Sequence, residues 1–505
     1  MPVFRESTRA LEAFMQTRRT FLHRGAVTTG GAALALAPGS ALAKPPARAA
    51  GYGPLVDDPG GLLDLPRGFR YRLIQSVEDR LSNGAPVPGD FDGMVAVAGR
   101  QNNSVVLVRN HELRPPDTAT KAPVVGSKPF DPAAPGGTTA VEVGPNRKAA
   151  RSYVTSSGTL NNCAGGGTPW GTWLTCEEDR TTGHGYVFEA DPNHPDNELS
   201  RTPIRDMGYF SHEAVDIDPR TGIAYLTEDD FRGSQVDFDK EVPGTTRSSF
   251  LFRYLPKNRA KRPGALQDGG RLQAMAIQAR PQYNMDLGRT GERFQVVWVD
   301  VNPQEPHDDA LAKGAARFQR LEGCHFVGGA LWFDDTSGGE KRYGQVFRLT
   351  PSGDPAGGGV DTLELFLESE SREQIDAPDN LVITPWGDVW LAEDGDDGNR
   401  IVGITPGGKT YTFANNRLND SEFAGPTFSP SGRTFFVNIQ DPGHTFAVWG
   451  PFPRRNAGGQ RAMAAAPPRH RWKPRVSAEL REYAAKTDMS PYEAAAHQRL
   501  GVALA

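Results

Sequence analysis

The sequence predicts an all-β fold, a β-propeller of about six blades with a short helical C-terminal tail. Three observations predict it. A strand–turn–strand plan recurs along the chain, turn formers are abundant at Gly 57 and Pro 41, and helical periodicity is almost absent before the last residues. A chain of 505 residues has room for two or three domains, yet one large all-β domain uses such a length equally well. The turn content favours the single domain.

The first element is not part of that fold. In "TRRTFLHRGAVTTGGAALALAPGSALA", Arg18 and Arg19 precede an apolar run that ends in Ala41, Leu42 and Ala43, the pattern of a signal read by the twin-arginine (Tat) export machinery. The run from Gly25 to Ala37 is bounded by Pro38 and Gly39 and is too short to span a bilayer. Cleavage near Ala43 is expected, releasing a periplasmic or extracellular protein with no membrane anchor. A sequence pI near 6.1 and a net charge of -5 argue against nucleic acid as a partner.

The propeller is expected over 44–452. Its repeat is a small polar or acidic leader, an apolar strand, a Gly turn and a second strand rich in Val, Leu, Trp, Tyr or Phe. The clearest copies are "SHEAVDIDPRTGIAYLTEDD", "EGCHFVGGALWFDDTSGG", "APDNLVITPWGDVWLAEDGDDGNRIVGI" and "EFAGPTFSPSGRTFFVNIQDPG". Earlier relatives are "DGMVAVAGRQNNSVVLVRNHE" and "NNCAGGGTPWGTWLTCEED". The leaders recur roughly every 45 to 70 positions, with one double interval between Glu213 and Glu322, which suits four-stranded blades with loop insertions. Turns at 218–222, 385–388 and 429–432 separate strand-like runs as hairpins require. The stretch from Ser249 to Asp300 is the least regular. The last element, 453–505, is basic and rich in Pro and Ala, reading as an extended strap. Short helices follow, one opening at Ser490-Pro491-Tyr492-Glu493 with the residues of a capping box.

A propeller gathers the starts of its innermost strands around one channel, so leaders far apart in sequence become neighbours. Acids gather at strand ends: Glu112, Glu177, Glu178, Glu213, Glu228 to Asp230, Glu322, Asp379, Glu393, Asp394 and Glu422. A buried carboxylate is expensive unless it is paired or binds metal, and Arg114, Arg320 and Arg400 are the few nearby cations. Oxygen-rich clusters suit calcium; a thiolate suits iron or zinc. In "TCEED", Cys176 stands beside acids that disfavour its thiolate, and a shared metal would reconcile them. The three cysteines, Cys163, Cys176 and Cys324, exclude a disulfide-built scaffold, and a Cys163–Cys176 bridge is the alternative use of that pair. "CAGGG" at 163–167 reads as a turn. His111, His212 and His325 are orienting histidines or ligands. No G-x-S-x-G, H-E-x-x-H, Walker loop or dinucleotide fingerprint occurs.

"TPWGTWLTCEED", "SHEA", "RLEG", "DNL" with "WLAEDG" and "NRI", and "GPTFSPSGRTFFVNIQDPG" together resemble the PhoX family of exported alkaline phosphatases, from about Asp92 to Pro442. The resemblance implies a six-bladed propeller whose channel holds ferric ions (Fe3+) and calcium ions (Ca2+) and hydrolyses small phosphate monoesters. It implies Cys176 as the thiolate ligand of iron and Glu213 and Glu322 as metal-binding carboxylates. Arg320 would contact the substrate phosphate. Glu177, Glu178, Asp394 and Glu422 would hold calcium, with Asn110 or Asn162 beside them. The rival readings are a calcium-stabilised propeller that binds a partner without catalysis, and a calcium-dependent lactonase.

Overall fold

Short runs of period two, each closed by a tight turn, pair with the next run in the chain, and that local rule builds the molecule. The computed structural model describes residues 50–230, 248–354, 358–395 and 398–453, all within one unit. The export segment 1–43 and the tail from 454 onward, with its expected helices, lie outside the described residues. Among the described residues the one α-helix is Pro306–Ala312, and no helix is long and apolar enough to cross a membrane.

Among the described residues six antiparallel meanders follow one another, and the propeller expected from the sequence is the arrangement found. The first comprises Phe91–Ala98, Val105–His111, Gly136–Val143 and Ala149–Thr159; the second Asn162–Gly167, Trp173–Glu177 and Val187–Ala190. The third holds His212–Ile217, Ala224–Glu228, Leu251–Pro256 and Gly270–Ile277. The fourth holds Leu321–Val327, Ala330–Asp335, Gln345–Thr350 and Asp361–Glu368, and the fifth Pro378–Ile383, Val389–Glu393, Arg400–Ile404 and Thr410–Asn416. The sixth has Phe423–Phe428, Phe435–Ile439 and His444–Trp449, and is completed by Arg70–Ser76 from near the start of the chain. The first strands of the six touch one another in order, and the sixth returns to the first.

The expected turns form: Gly222 donates to Asp218 O, Gly387 to Thr384 O and Gly432 to Ser429 O. The irregular stretch from Ser249 to Asp300 has a physical reason. It ends in an extra strand, Arg293–Asp300, which pairs both with Gly270–Ile277 and with Asp361–Glu368 of the fourth meander, fusing two meanders into a nine-stranded sheet. Apolar side chains fill the gaps between meanders. Leu174 and Val187 pack with Val215 and Phe252 between the second and third, and Trp390 and Phe413 with Phe435 and Phe446 between the fifth and sixth. All three cysteines are free and buried, so the Cys163–Cys176 bridge does not form.

Candidate metal centre

Every inner hairpin breaks register at the same place. Two residues of the first strand face one of the second between Phe91 and Met94, Asn162 and Gly165, His212 and Val215, Leu321 and Cys324, Pro378 and Leu381, and Ala424 and Thr427. These are β-bulges, which re-aim a side chain out of the pleat. The residues so placed in the first five meanders are Asp92, Cys163, Glu213, Glu322 and Asp379. In the sixth the position is Gly425, and Glu422 enters from just before the strand.

The backbone groups freed by the bulges are bonded by side chains, most from a neighbouring meander. Asn438 Nδ2 donates to Asp92 O at 2.7 Å, Asn110 Nδ2 to Cys163 O at 2.8 Å and Ala164 O at 2.6 Å, and Thr227 Oγ1 to Glu322 O at 2.6 Å. Asn380 Oδ1 accepts from Gly425 N at 2.6 Å. Four of the six bulges are thus fixed by the blade beside them, as buried backbone groups demand.

Ligand atoms of three groups converge, each within 4.8 Å: Cys163 with Glu178 and Glu213, Glu213 with Glu322 and Asp379, and Asp92 with Glu112 and Glu422. That is seven carboxylates and a thiol, with Glu213 shared. Burial, then mutual repulsion, pushes Glu213, Glu178, Glu422, Asp92 and Glu322 far above the usual carboxylate range, and Asp379 up to about 7. Burial and then Glu213 push the Cys163 thiol up as well. Asp92 Oδ1 is buried without a hydrogen-bond partner. Such a donor set fits cations: hard oxygens for calcium and one soft sulfur for iron.

Arg320 stands inside this ring. Its Nε and Nη2 grip Asp229, the latter at 2.6 Å, and Nη2 lies 3.0 Å from Glu322. Asp229 is itself fully buried, so the guanidinium is turned toward the cluster rather than toward a surface acid.

Of the residues expected from the sequence, Glu178, Glu213, Glu322 and Glu422 are brought together with Arg320 beside them, and the three others are not. Cys176 faces the bulge from the second strand, between the partners of Asn162 and Gly165, and packs in the apolar cluster with Leu174 and Val187. The thiol among the acids is Cys163. Glu177 is saturated by protein donors: Oε1 takes Leu160 N at 2.9 Å and His184 Nδ1 at 2.6 Å, and Oε2 takes Gly185 N at 2.8 Å and Tyr186 N at 3.1 Å. Asp394 is exposed at the rim, close enough to raise Asp379 and Glu422. Asn110 braces Cys163, whereas Asn162 bonds Thr159 and Thr175. His111 and His325 hold backbone groups at Gly89 and Ile383, and Arg400 pairs with Glu393 away from the cluster. Asp92 and Cys163 are the site residues that sequence reasoning passed over. The signal was present: each bulge leader precedes a small or short residue, as in Asp92-Gly93, Cys163-Ala164, Glu213-Ala214, Glu322-Gly323 and Asp379-Asn380.

The family model described as Alkaline phosphatase PhoX matches residues 50–443. A comparison with curated proteins returns no match. Among solved structures, Pseudomonas fluorescens PhoX in complex with vanadate, a transition state analogue, is similar at 18% identity and TM-score 0.58, over 77% of this chain and 96% of that one. A gluconolactonase from Xanthomonas campestris is similar at 13% identity and TM-score 0.39, over 79% and 98% of the two chains. Regucalcin, a calcium-binding protein from Agrobacterium tumefaciens, follows at 11% identity and TM-score 0.38, over 76% and 98%. The first likeness shows the fold; the other two carry no argument.

Proposed function

The chain belongs to the alkaline phosphatase PhoX family, and from that premise we propose an exported, metal-dependent phosphatase that hydrolyses phosphate monoesters in the propeller channel. Phosphatase-type function and metal dependence come with the family. Ferric and calcium ions, monoester substrates and export are proposed here on the strength of the site and of the N-terminal sequence. The observation that carries it is the gathering of seven carboxylates and one thiol into three close groups, two of them sharing Glu213, with Arg320 bound to Glu322 of one of them.

Cys163, Glu178 and Glu213 would hold iron, with the thiol bound as a thiolate and its proton released to solvent. Asp92, Glu112 and Glu422, with Glu322 and Asp379, would hold calcium. Bound there, these ions supply Lewis-acid polarisation of the phosphoryl oxygens and neutralise charge built up in the displacement. Arg320 binds and orients the phosphoryl group. Asp229 fixes its guanidinium by a two-point grip, so little side-chain freedom is lost when the ester arrives. The partner-binding propeller gives no reason for that inward arginine, and the lactonase gives none for a thiol in the cluster.

The test is metal content of the export-processed protein by plasma mass spectrometry, alongside hydrolysis of a chromogenic phosphate monoester. Iron with calcium, and activity lost on calcium chelation, is the expected result. Calcium without iron and without hydrolysis would overturn the reading in favour of the binding propeller.

A further inference from the structure

We propose a second anion-binding site, in the groove between the outer turns of the first and sixth meanders, that takes the phosphate or sulfate group of a hydroxylated small molecule. The groove has a volume of about 530 Å³, within the range of small-ligand sites. It is walled by the turn after Ala98, the turn after Val143 and the turn after Ser429. These turns lie at the far ends of the strands whose starts carry the acids, roughly 20 Å from Asp92 at about 3.3 Å per residue. The groove is thus separate from the metal centre.

Its charge is one-sided. Among the described residues, the charged ones on its wall are Arg147 and Arg433, and no Asp or Glu lines it. Arg72 stands behind Arg147, donating from Nη1 to Asn146 O at 2.7 Å, and its charge, after burial, holds the Arg147 guanidinium below its ordinary value. Among the described residues no carboxylate pairs with any of the three, in a chain whose net charge is -5. Arg72 and Arg147 are half-buried and Arg433 is exposed; like charges gathered without a counterion are unfavourable, most of all where burial thins their hydration, unless an anion joins them.

Arg147 is held at the groove wall. Its Nε donates to Thr434 Oγ1 at 3.0 Å across the two meanders, and the guanidinium lies 4.7 Å over the Trp449 ring. The residue sits at φ 59°, in a turn closed by Arg147 N to Gly144 O and Gly144 N to Lys148 O. That region suits Gly or Asn, yet the Asn of this turn is at 146 and the strained position carries arginine. Asn102, Asn103, Ser429 and Ser431 add neutral donors and acceptors along the wall. Guanidinium pairs suit a tetrahedral oxyanion; amides and hydroxyls suit the hydroxyl groups of the body that carries it.

The experiment is calorimetric titration of the purified full protein with glucose 6-sulfate and, separately, with inorganic sulfate. A sulfate ester keeps the phosphatase reaction out of the measurement. The expected result is binding of the sugar sulfate that is tighter than binding of inorganic sulfate, weakened about ten-fold or more in Arg147→Gln and Arg433→Gln. Hydrolysis of a phosphate monoester should be unchanged in both. Arg147→Asn, which suits the left-handed turn, should keep the melting temperature and lose the binding. Equal binding by wild type and the Arg147 variants would overturn the site, and inorganic sulfate binding as tightly as the ester would overturn the hydroxylated ligand.

Discussion

Cys163 and Cys176 lie on facing strands of one hairpin, one in the bulge and one opposite it, so a single residue's place in the register decides which thiol meets the acids. Burial, and then Glu213 and Glu178, push the Cys163 thiol up, and a bound ferric ion would turn that penalty into a bond. Cys163→Ala is expected to lose iron to background along with the thiolate-to-iron absorption band. Cys176→Ala is expected to keep both, paying only a core cavity of about 1 to 2 kcal/mol. Iron retained in the first variant, or lost in the second, would reverse the assignment. Glu177 illustrates the opposite case, a carboxylate whose oxygens are already used by three backbone N–H groups and His184. Glu177→Gln sets an amide N–H₂ against backbone N–H donors, and should destabilise by about 2 to 3 kcal/mol. Urea unfolding reads that loss, while metal content should stay at the wild-type level; unchanged stability would contradict a structural role.

At the scale of elements, strands and hairpins were legible because alternation and Gly turns are local, and the meanders formed where those signals stood. The bulges were not, because a register break carries no periodic signature, and its small residue is needed by the next strand rather than by its own. A Cβ on Gly93 would lie 2.6 Å from Ala164 Cα, and one on Gly323 2.7 Å from Leu381 N. Glu213 and Glu322 were found because their leaders are acids, whereas Cys163 was read as a turn because glycines follow it. The N-terminal segment shows another non-local choice. Leu55–Val56 and Leu63–Pro66 add to the outer edge of the fifth meander, and Asp58 ties their turn by accepting from Leu62 N at 2.8 Å and Tyr71 Oη at 2.6 Å. Burial alone would raise the Asp58 carboxyl, but the Tyr71 hydroxyl and the N–H groups of Leu62, Gly60 and Leu63 outweigh it and hold it below 3.8. A depressed carboxyl stabilises fully above its unfolded value and loses that contribution as pH falls through its folded one. Hydrogen-exchange protection at Leu62 and Leu63 should therefore be steady from neutral pH down to about 4 and fall below it, with Asp58→Asn already weakened at neutral pH. A pH-independent profile in the wild type would refute this.

At the scale of the whole molecule, the site exists only because a ring closes. No meander holds more than a few of the ligands: Glu178 and Cys163 come from the second, Glu213 from the third, Glu322 from the fourth, Asp379 from the fifth, and Asp92 and Glu112 belong to the first. Closure is made by Arg70–Ser76 pairing with His444–Trp449, which joins the two ends of the described chain and leaves the last meander with a full outer edge. It also requires the inner strands to approach closely. A Cβ on Gly166 would stand 1.5 Å from Val215 O, a distance no side-chain movement relieves because both partners are backbone of adjacent inner strands. Gly166→Ala must then push the second and third meanders apart and separate Cys163 and Glu178 from Glu213. The expected outcome is a protein that loses iron and melts well below the wild type, or accumulates as insoluble chain. Gly407→Ala is the control: its new Cβ would meet only Thr405 Oγ1, at 4.0 Å, and it should match the wild type in metal content and melting temperature. A soluble Gly166→Ala protein with full iron would mean that the cluster does not depend on the spacing of the inner strands, and the ring would lose its part in building the site.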